Sequence, residues 1–182
     1  VTVPRQNAGE FILTIEPFTP PSAHIIEHGL RCITAPNSGR KDAEAKTTDW
    51  MHARKSLSEA MPEGIYDTFL LDADGYMLEG LGSNFYAIIG NVLYTAGEGV
   101  LRGIAQKIVF EVADGIISIQ HTAPHLSDIP HFSEAFLTSS SRGIIPVVEI
   151  DNIPIGDAQV GIMTKKLRSA YEAWLNNNLK PL

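Results

Sequence analysis

Hydrophobic positions along this chain follow two rhythms, and the places where one gives way to the other mark out its elements. Residues 10–18 (Glu-Phe-Ile-Leu-Thr-Ile-Glu-Pro-Phe) predict a strand, which Pro17, Pro20 and Pro21 stop and turn into a stiff connector. Residues 29–35 predict a second apolar strand, followed by a polar loop over residues 36–45. Over residues 49–61 the spacing becomes helical at Trp50, Ala53, Leu57, Ala60 and Met61, with Thr48 or Asp49 as the N-cap. A strand over residues 65–72 turns through Asp72-Ala73-Asp74-Gly75 into a partner over residues 76–79. Strands near residues 84–89 and 92–95 flank Gly90-Asn91, a strong hairpin signal.

Residues 103–113 predict a helix with Ile104, Ile108, Val112 and Ala113 on one face, stopped by Gly115. Strands follow at residues 116–120, 134–139 and 144–150, with a short helical turn near residues 125–130. A last helix over residues 160–177 turns Met163, Leu167, Ala170, Tyr171, Trp174 and Leu175 inward. Runs of strands interrupted by single helices indicate an α+β fold rather than a regular alternation. Neither an internal repeat nor a low-complexity tract interrupts the pattern.

Composition narrows the classes. A length of 182 residues suits one domain, or one domain with a remnant of another. With 44% apolar and 19% charged residues the chain can bury a sizeable core. A formal charge of −7 without blocks argues against nucleic acid, whose binding needs a basic face. No apolar run approaches the roughly 18 residues that span a bilayer, so no membrane partner is expected, and the first residues lack the apolar stretch of a signal peptide. Cys32 is the only cysteine and reads as a small apolar filler in a strand; with no internal disulfide possible, a reducing, cytoplasmic setting is expected. The chain does not begin with methionine, and residues 1–9 read as the middle of something longer.

Candidate chemistry comes from four stretches in order. Lys46 sits at a loop-to-helix junction; taken alone it reads as a solvated surface lysine, but a lysine that loses its proton in a partly desolvated site condenses with an aldehyde. Glu79 ends a hairpin strand and is followed by Gly80, Gly82 and Asn84, which let the chain turn tightly around a ligand. A carboxylate beside a pyridine nitrogen keeps that nitrogen protonated and makes the ring an electron sink. Gly103-Ile104-Ala105 opens a helix whose free N–H groups and dipole suit an anion. Thr138–Ser141 places four hydroxyls in a row before Gly143, suited to phosphate oxygens or a carboxylate.

This ordered set closely resembles the class IV aminotransferases, the fold type IV pyridoxal-phosphate enzymes that include branched-chain and D-amino acid aminotransferases and aminodeoxychorismate lyase. The matching stretches are residues 46–50, 71–75 with 79–85, 90–95, 100–104 and 134–147, and the resemblance covers residues 10–182. It implies the larger C-terminal domain of the D-amino acid aminotransferase-like fold, with mixed strands around a pseudo-barrel and flanking helices. It further implies residues 1–22 as the tail and last strand of an absent N-terminal domain, and residues 23–182 as the cofactor-binding domain. By similarity Lys46 would form the Schiff base with pyridoxal phosphate and shuttle the substrate proton. Glu79 would pair with the pyridine nitrogen, Asn84 would support the glutamate turn, and Ile104, Ala105 and Ser140 would hold the phosphate. Ser141, Arg142 and Trp50 would face the substrate, an amino acid or a 2-keto acid, in an enzyme that is a homodimer when full-length.

The chain departs from the family pattern in places. Gly103-Ile104-Ala105-Gln106 lacks the threonine many relatives carry, Trp50 replaces the tyrosine of branched-chain enzymes, and Arg142-Gly143 stands where relatives carry Ala-Glu or Ser-Glu. Within the resemblance the alternative is an aminodeoxychorismate-type lyase; outside catalysis it is a cofactor-binding remnant. Other chemistries are weaker. His24-Ile25-Ile26-Glu27-His28 fits an inverted zinc-peptidase pattern, but Ile25 and Ile26 are more at home beside a strand and no third ligand stands out, so no metal site is expected. Asp72-Ala73-Asp74-Gly75 would need a first calcium ligand at Leu70, and Ser139–Ser141 lacks the setting of a serine-hydrolase elbow.

Overall fold

The apolar runs become strands of one mixed sheet that closes on itself. The computed structural model describes Pro17, residues 19–39 and residues 48–179. The strand expected over residues 10–18, apart from Pro17, falls outside the described residues, as does Lys46. Nine strands are described: β1 (Leu30–Ala35), β2 (Asp67–Leu71), β3 (Met77–Glu79), β4 (Asn84–Ile89), β5 (Val92–Tyr94), β6 (Ser118–Gln120), β7 (Glu134–Ser139), β8 (Gly143–Ile150) and β9 (Ile153–Pro154). They run in the order β3-β2-β1-β8-β7-β4-β5-β6, with β9 on β8, and a further pairing of β3 with β4 closes the first part into a barrel. β1 is parallel to both its neighbours, β2 and β8, whereas the pairs β2–β3, β3–β4, β4–β7 and β7–β8 are antiparallel.

The period of two along each strand sorts side chains to two cores. Phe85 and Ala87 of β4, Ala135 and Leu137 of β7, and Ile145 and Val147 of β8 pack with Leu30, Cys32, Phe69 and Met77 inside the barrel. The 3-10 turn Leu126–His131 and the residue after it add Ile129 and Phe132 to that cluster. The intervening residues Tyr86, Ile88, Phe136 and Ile144 face the other way, against helices α3 (Ile104–Ala113) and α4 (Ile162–Asn178). Burial on both faces is why β2, β4 and β7 read as continuous apolar runs rather than as alternation. Burial pushes the Cys32 thiol well up, with the Asp67 and Asp151 charges adding to it, as suits a packed thiol in the barrel wall.

The mixed sheet with flanking helices is the α+β pseudo-barrel expected, and the differences are local. Residues 23–28 form a short helix α1 (Ala23–His28), capped by Ser22, which accepts from the Ile25 N–H at 3.3 Å, and its Ile25 and Ile26 pack against the strands of the barrel. The strand expected from residue 116 begins at Ser118, since the Ile116 and Ile117 amides both donate to Ala113 O at the end of α3. On α3 the buried residues are Ala105, Gln106, Ile108, Val109 and Ala113, while Ile104, the first residue of the helix, is exposed. Helix α2 (Thr48–Glu59) forms where expected, but Ala53 and Ala60 are exposed: among the described elements it rests mainly on β2, which cannot cover a whole helical stripe. No helix among the described residues is long and apolar enough to cross a membrane.

Tyr86 gives the outer core a pH dependence. Burial raises its phenol well above the ordinary value of 10.0, and the neighbouring Tyr171 adds to the rise, while the 3.3 Å hydroxyl contact with Thr138 only partly opposes it. The folded protein therefore keeps a proton that the unfolded chain releases, and stability is full below about pH 10 and falls as the pH climbs above it, by up to about 1.4 kcal/mol per unit for this group. Urea unfolding of wild type and Tyr86→Phe from pH 8 to pH 12 checks this; the substitution is expected to flatten the alkaline fall.

Candidate functional site

Where β3 ends, β4 begins and β7 runs out, the barrel carries a cavity of about 530 Å³. Its walls are Glu79 to Asn84, Leu101, Gly103 and Ala105, the segment Thr138–Arg142, and Trp50, Met51 and Arg54 of α2. Residues far apart in sequence thus meet at one end of the barrel because strand ends and a helix start converge there.

Glu79 and Asn84 face each other across the β3–β4 pair that closes the barrel, and both are buried. Together they grip one peptide. The Leu101 N–H donates to Glu79 Oε2 at 3.0 Å, and Asn84 Nδ2 donates to the Leu101 carbonyl at 2.7 Å. That grip sets the approach of residues 101–103 to α3. A Cβ on Gly103 would lie 2.4 Å from Asn84 Oδ1, so only glycine lets the helix start come this close. Gly103 caps α3 without a side-chain bond, leaving first-turn N–H groups available to an anion, and Ala105 brings that turn into the wall. Ile104, whose side chain is exposed, is not among the residues of the wall.

Behind this wall lies a residue that sequence reading passed over. Asp67, 4% exposed at the start of β2, accepts from the Thr68 N–H at 2.8 Å, the Leu81 N–H at 3.0 Å and the Ser83 hydroxyl at 2.7 Å. The Gly80 N–H donates to the Ser83 carbonyl at 2.8 Å, completing the tight turn between Glu79 and Asn84. A Cβ on Gly80 would fall 2.2 Å from Ser83 Oγ and 2.5 Å from Asp67 Oδ2. A buried carboxylate that takes two donors from one turn and one from its own strand is a rigid template for that turn. Its sequence signal is a charged residue opening a short strand that ends in Phe69-Leu70-Leu71, where burial demands partners.

The opposite wall is the β7–β8 turn. Ser140 and Ser141 are exposed there, and Arg142 is partly buried. Arg142 Nε donates to Ser139 Oγ at 3.0 Å and an Nη donates to the Tyr66 hydroxyl at 2.7 Å. Trp50, with its neighbours Met51 and Arg54, borders the mouth from α2. The structure therefore brings Glu79, Asn84, Ala105, Ser140, Ser141, Arg142 and Trp50 to one cavity; Lys46 lies outside the described residues.

The rival motifs resolve differently. His24 and His28 come together on α1, with ring centroids 4.4 Å apart, but among the described residues no group of three His, Cys, Asp or Glu side chains could hold a metal. Asp72 Oδ1 accepts from the Asp74 and Tyr76 N–H groups at 3.0 and 2.8 Å, so the carboxylate holds the hairpin turn instead of pointing at a cation.

Comparison with known proteins agrees with this architecture. The family model described as Amino-transferase class IV matches residues 2–150. A putative branched-chain-amino-acid aminotransferase of Methanocaldococcus jannaschii is 31% identical over 156 residues, covering 80% of this chain and 53% of that protein. A probable branched-chain-amino-acid aminotransferase of Aquifex aeolicus is 29% identical over 67% of this chain and 40% of its own length. The chain thus spans about half or less of the curated relatives it matches. Among solved structures, a T.th. branched-chain amino acid aminotransferase with pyridoxamine 5'-phosphate superposes with a TM-score of 0.78 at 25% identity, over 87% of this chain and 54% of that one.

Asp67 and Gly80 test the template. Asp67→Ala strands two backbone donors and a hydroxyl and is expected to cost about 3 kcal/mol, with Asp67→Asn costing roughly 1 kcal/mol. Gly80→Ala is expected to destabilise as well, through its clash with Ser83 and Asp67. Chemical denaturation of the three variants measures this, and equal stability of Asp67→Ala and wild type would remove Asp67 from the account.

Proposed function

The chain belongs to the class IV aminotransferase family, and on that footing we propose that it is the cofactor-binding part of a pyridoxal-phosphate aminotransferase moving an amino group between an amino acid and a 2-keto acid. The observation that carries this reading is the closing pair of the barrel: a buried carboxylate, Glu79, and Asn84 jointly hold the peptide that leads into an uncapped helix start. The group fits the residues present. The cavity has the volume of a small-molecule site, with an acidic wall at Glu79, N–H donors at the start of α3, and hydroxyls at Ser139–Ser141. The T.th. relative solved with pyridoxamine 5'-phosphate supports the choice of cofactor.

When bound, pyridoxal phosphate supplies an aldehyde for amines and a ring that takes up the electron pair released at the substrate Cα. Glu79 would stand at the pyridine nitrogen, where a carboxylate favours the protonated form. The Ile104 and Ala105 N–H groups and the Ser140 hydroxyl would hold the phosphate, where the helix dipole favours negative charge. Asn84 keeps Glu79 and the helix start in register through Leu101. Lys46 provides the amine and moves the proton at the substrate Cα. The Ser141 N–H holds the substrate α-carboxylate, and Trp50 and Arg142 border the rest of the substrate.

Adding pyridoxal phosphate to the purified protein is expected to give an absorption band near the visible edge. Borohydride treatment should then fix the cofactor to the Lys46 peptide, read by mass spectrometry. Lys46→Ala should lose both signals, and Glu79→Gln should lower transamination by more than about tenfold. Attachment to a different lysine would overturn the assignment of Lys46. Pyruvate release without amino-group transfer would replace the transferase by a lyase.

A further inference from the structure

The guanidinium of Arg142 is held in the cavity wall with no counter-charge among the described residues. Its Nε donates to Ser139 Oγ at 3.0 Å, an Nη donates to the Tyr66 hydroxyl at 2.7 Å, and its carbon lies 5.3 Å from the Tyr66 ring centroid. All of these partners are neutral. Among the described residues Arg142 makes no ion pair, although Arg31 and Arg168 each meet a carboxylate. Two hydroxyls and a ring face fix the orientation of the fork but leave its net charge unsatisfied, and remaining N–H donors open to a ligand. The wall also carries Arg54, so the described lining has two guanidiniums against the single carboxylate of Glu79, which already accepts from Leu101.

We propose that Arg142, aimed by Tyr66 and Ser139, binds a second carboxylate of the substrate, so that the site selects dicarboxylic amino and keto acids over branched-chain ones. This deepens the aminotransferase reading and rests on it for the α-carboxylate, which the Ser141 N–H takes. An aliphatic side chain in this cavity would desolvate an unpaired guanidinium, whereas a terminal carboxylate accepts its fork bidentately. Arg142 touches the substrate; Tyr66, which is not part of the cavity wall, is a positioning residue that acts through Arg142.

Calorimetric titration of glutarate and of 4-methylvalerate into the purified protein, with and without pyridoxal phosphate, tests this. Glutarate is expected to bind more tightly. Arg142→Gln should weaken glutarate by roughly ten- to a hundredfold while leaving 4-methylvalerate within about twofold. Arg142→Lys should fail to restore it, since an ammonium lacks the fork. Tyr66→Phe should weaken glutarate roughly two- to tenfold at an unchanged melting temperature. The ratio between the two ligands is the deciding quantity, because a merely structural loss would move both alike. No preference for glutarate in wild type, or an unaltered ratio in Arg142→Gln, overturns the proposal; if that variant does not fold, the ratio in Tyr66→Phe decides. Cofactor loading, followed by absorbance, is scored separately. Loading without glutarate preference sinks this inference alone, and preference without loading sinks the cofactor reading but keeps the carboxylate site.

Discussion

The barrel closes through β3 and β4 at the Glu79–Asn84 pair, and both side chains of that pair line the cavity. Closure and site are therefore one constraint. A sheet that closes must bring its first and last strands into register, and here the register also fixes where a carboxylate and an amide stand relative to Leu101. The helix start at Gly103 follows from that peptide, and the turn between the strands follows from Asp67 behind it. Loss of any one of these bonds would alter the spacing of the others, since they share a few ångströms of buried backbone.

The two cores explain how such a short closing pair persists. β4 and β7 are sealed inside by Phe85, Ala135 and Leu137 and outside by Tyr86 and Phe136, whose rings stack at 4.6 Å. β4 and β7, which present site residues at their ends, are thus packed on both faces. Only strand ends and turns are left to carry polar chemistry, and in this arrangement the site occupies one end of the barrel.

Local signals carried most of the fold. The Asp72–Gly75 and Gly90-Asn91 turns, the breakers around α3 and the long apolar runs all mark boundaries that the structure repeats within a residue or two. Tertiary context supplied the rest. Helix α2 shows an apolar stripe whose covering surface β2 only partly provides, α1 depends on a single serine cap, and Ile116 and Ile117 were claimed by a helix end before the sheet could use them. The candidate site was legible as residue types in order, because Glu79, Asn84, Gly103 and the Ser139–Ser141 run have strong local character. Asp67 and Tyr66 were not, since each acts across the fold on a segment at least 14 residues away.

The exposed turn at Ser140 and Ser141 differs in kind from the wall facing it. Glu79, Asn84, Gly80 and Gly103 interlock so closely that most replacements there would disturb folding, whereas exposed turn residues usually change at a cost of about half a kcal/mol or less. One side of the cavity is consequently tied to the survival of the fold and the other is nearly free of it. A few replacements at a single bend can therefore reshape one wall of the cavity while the opposite wall stays as it is.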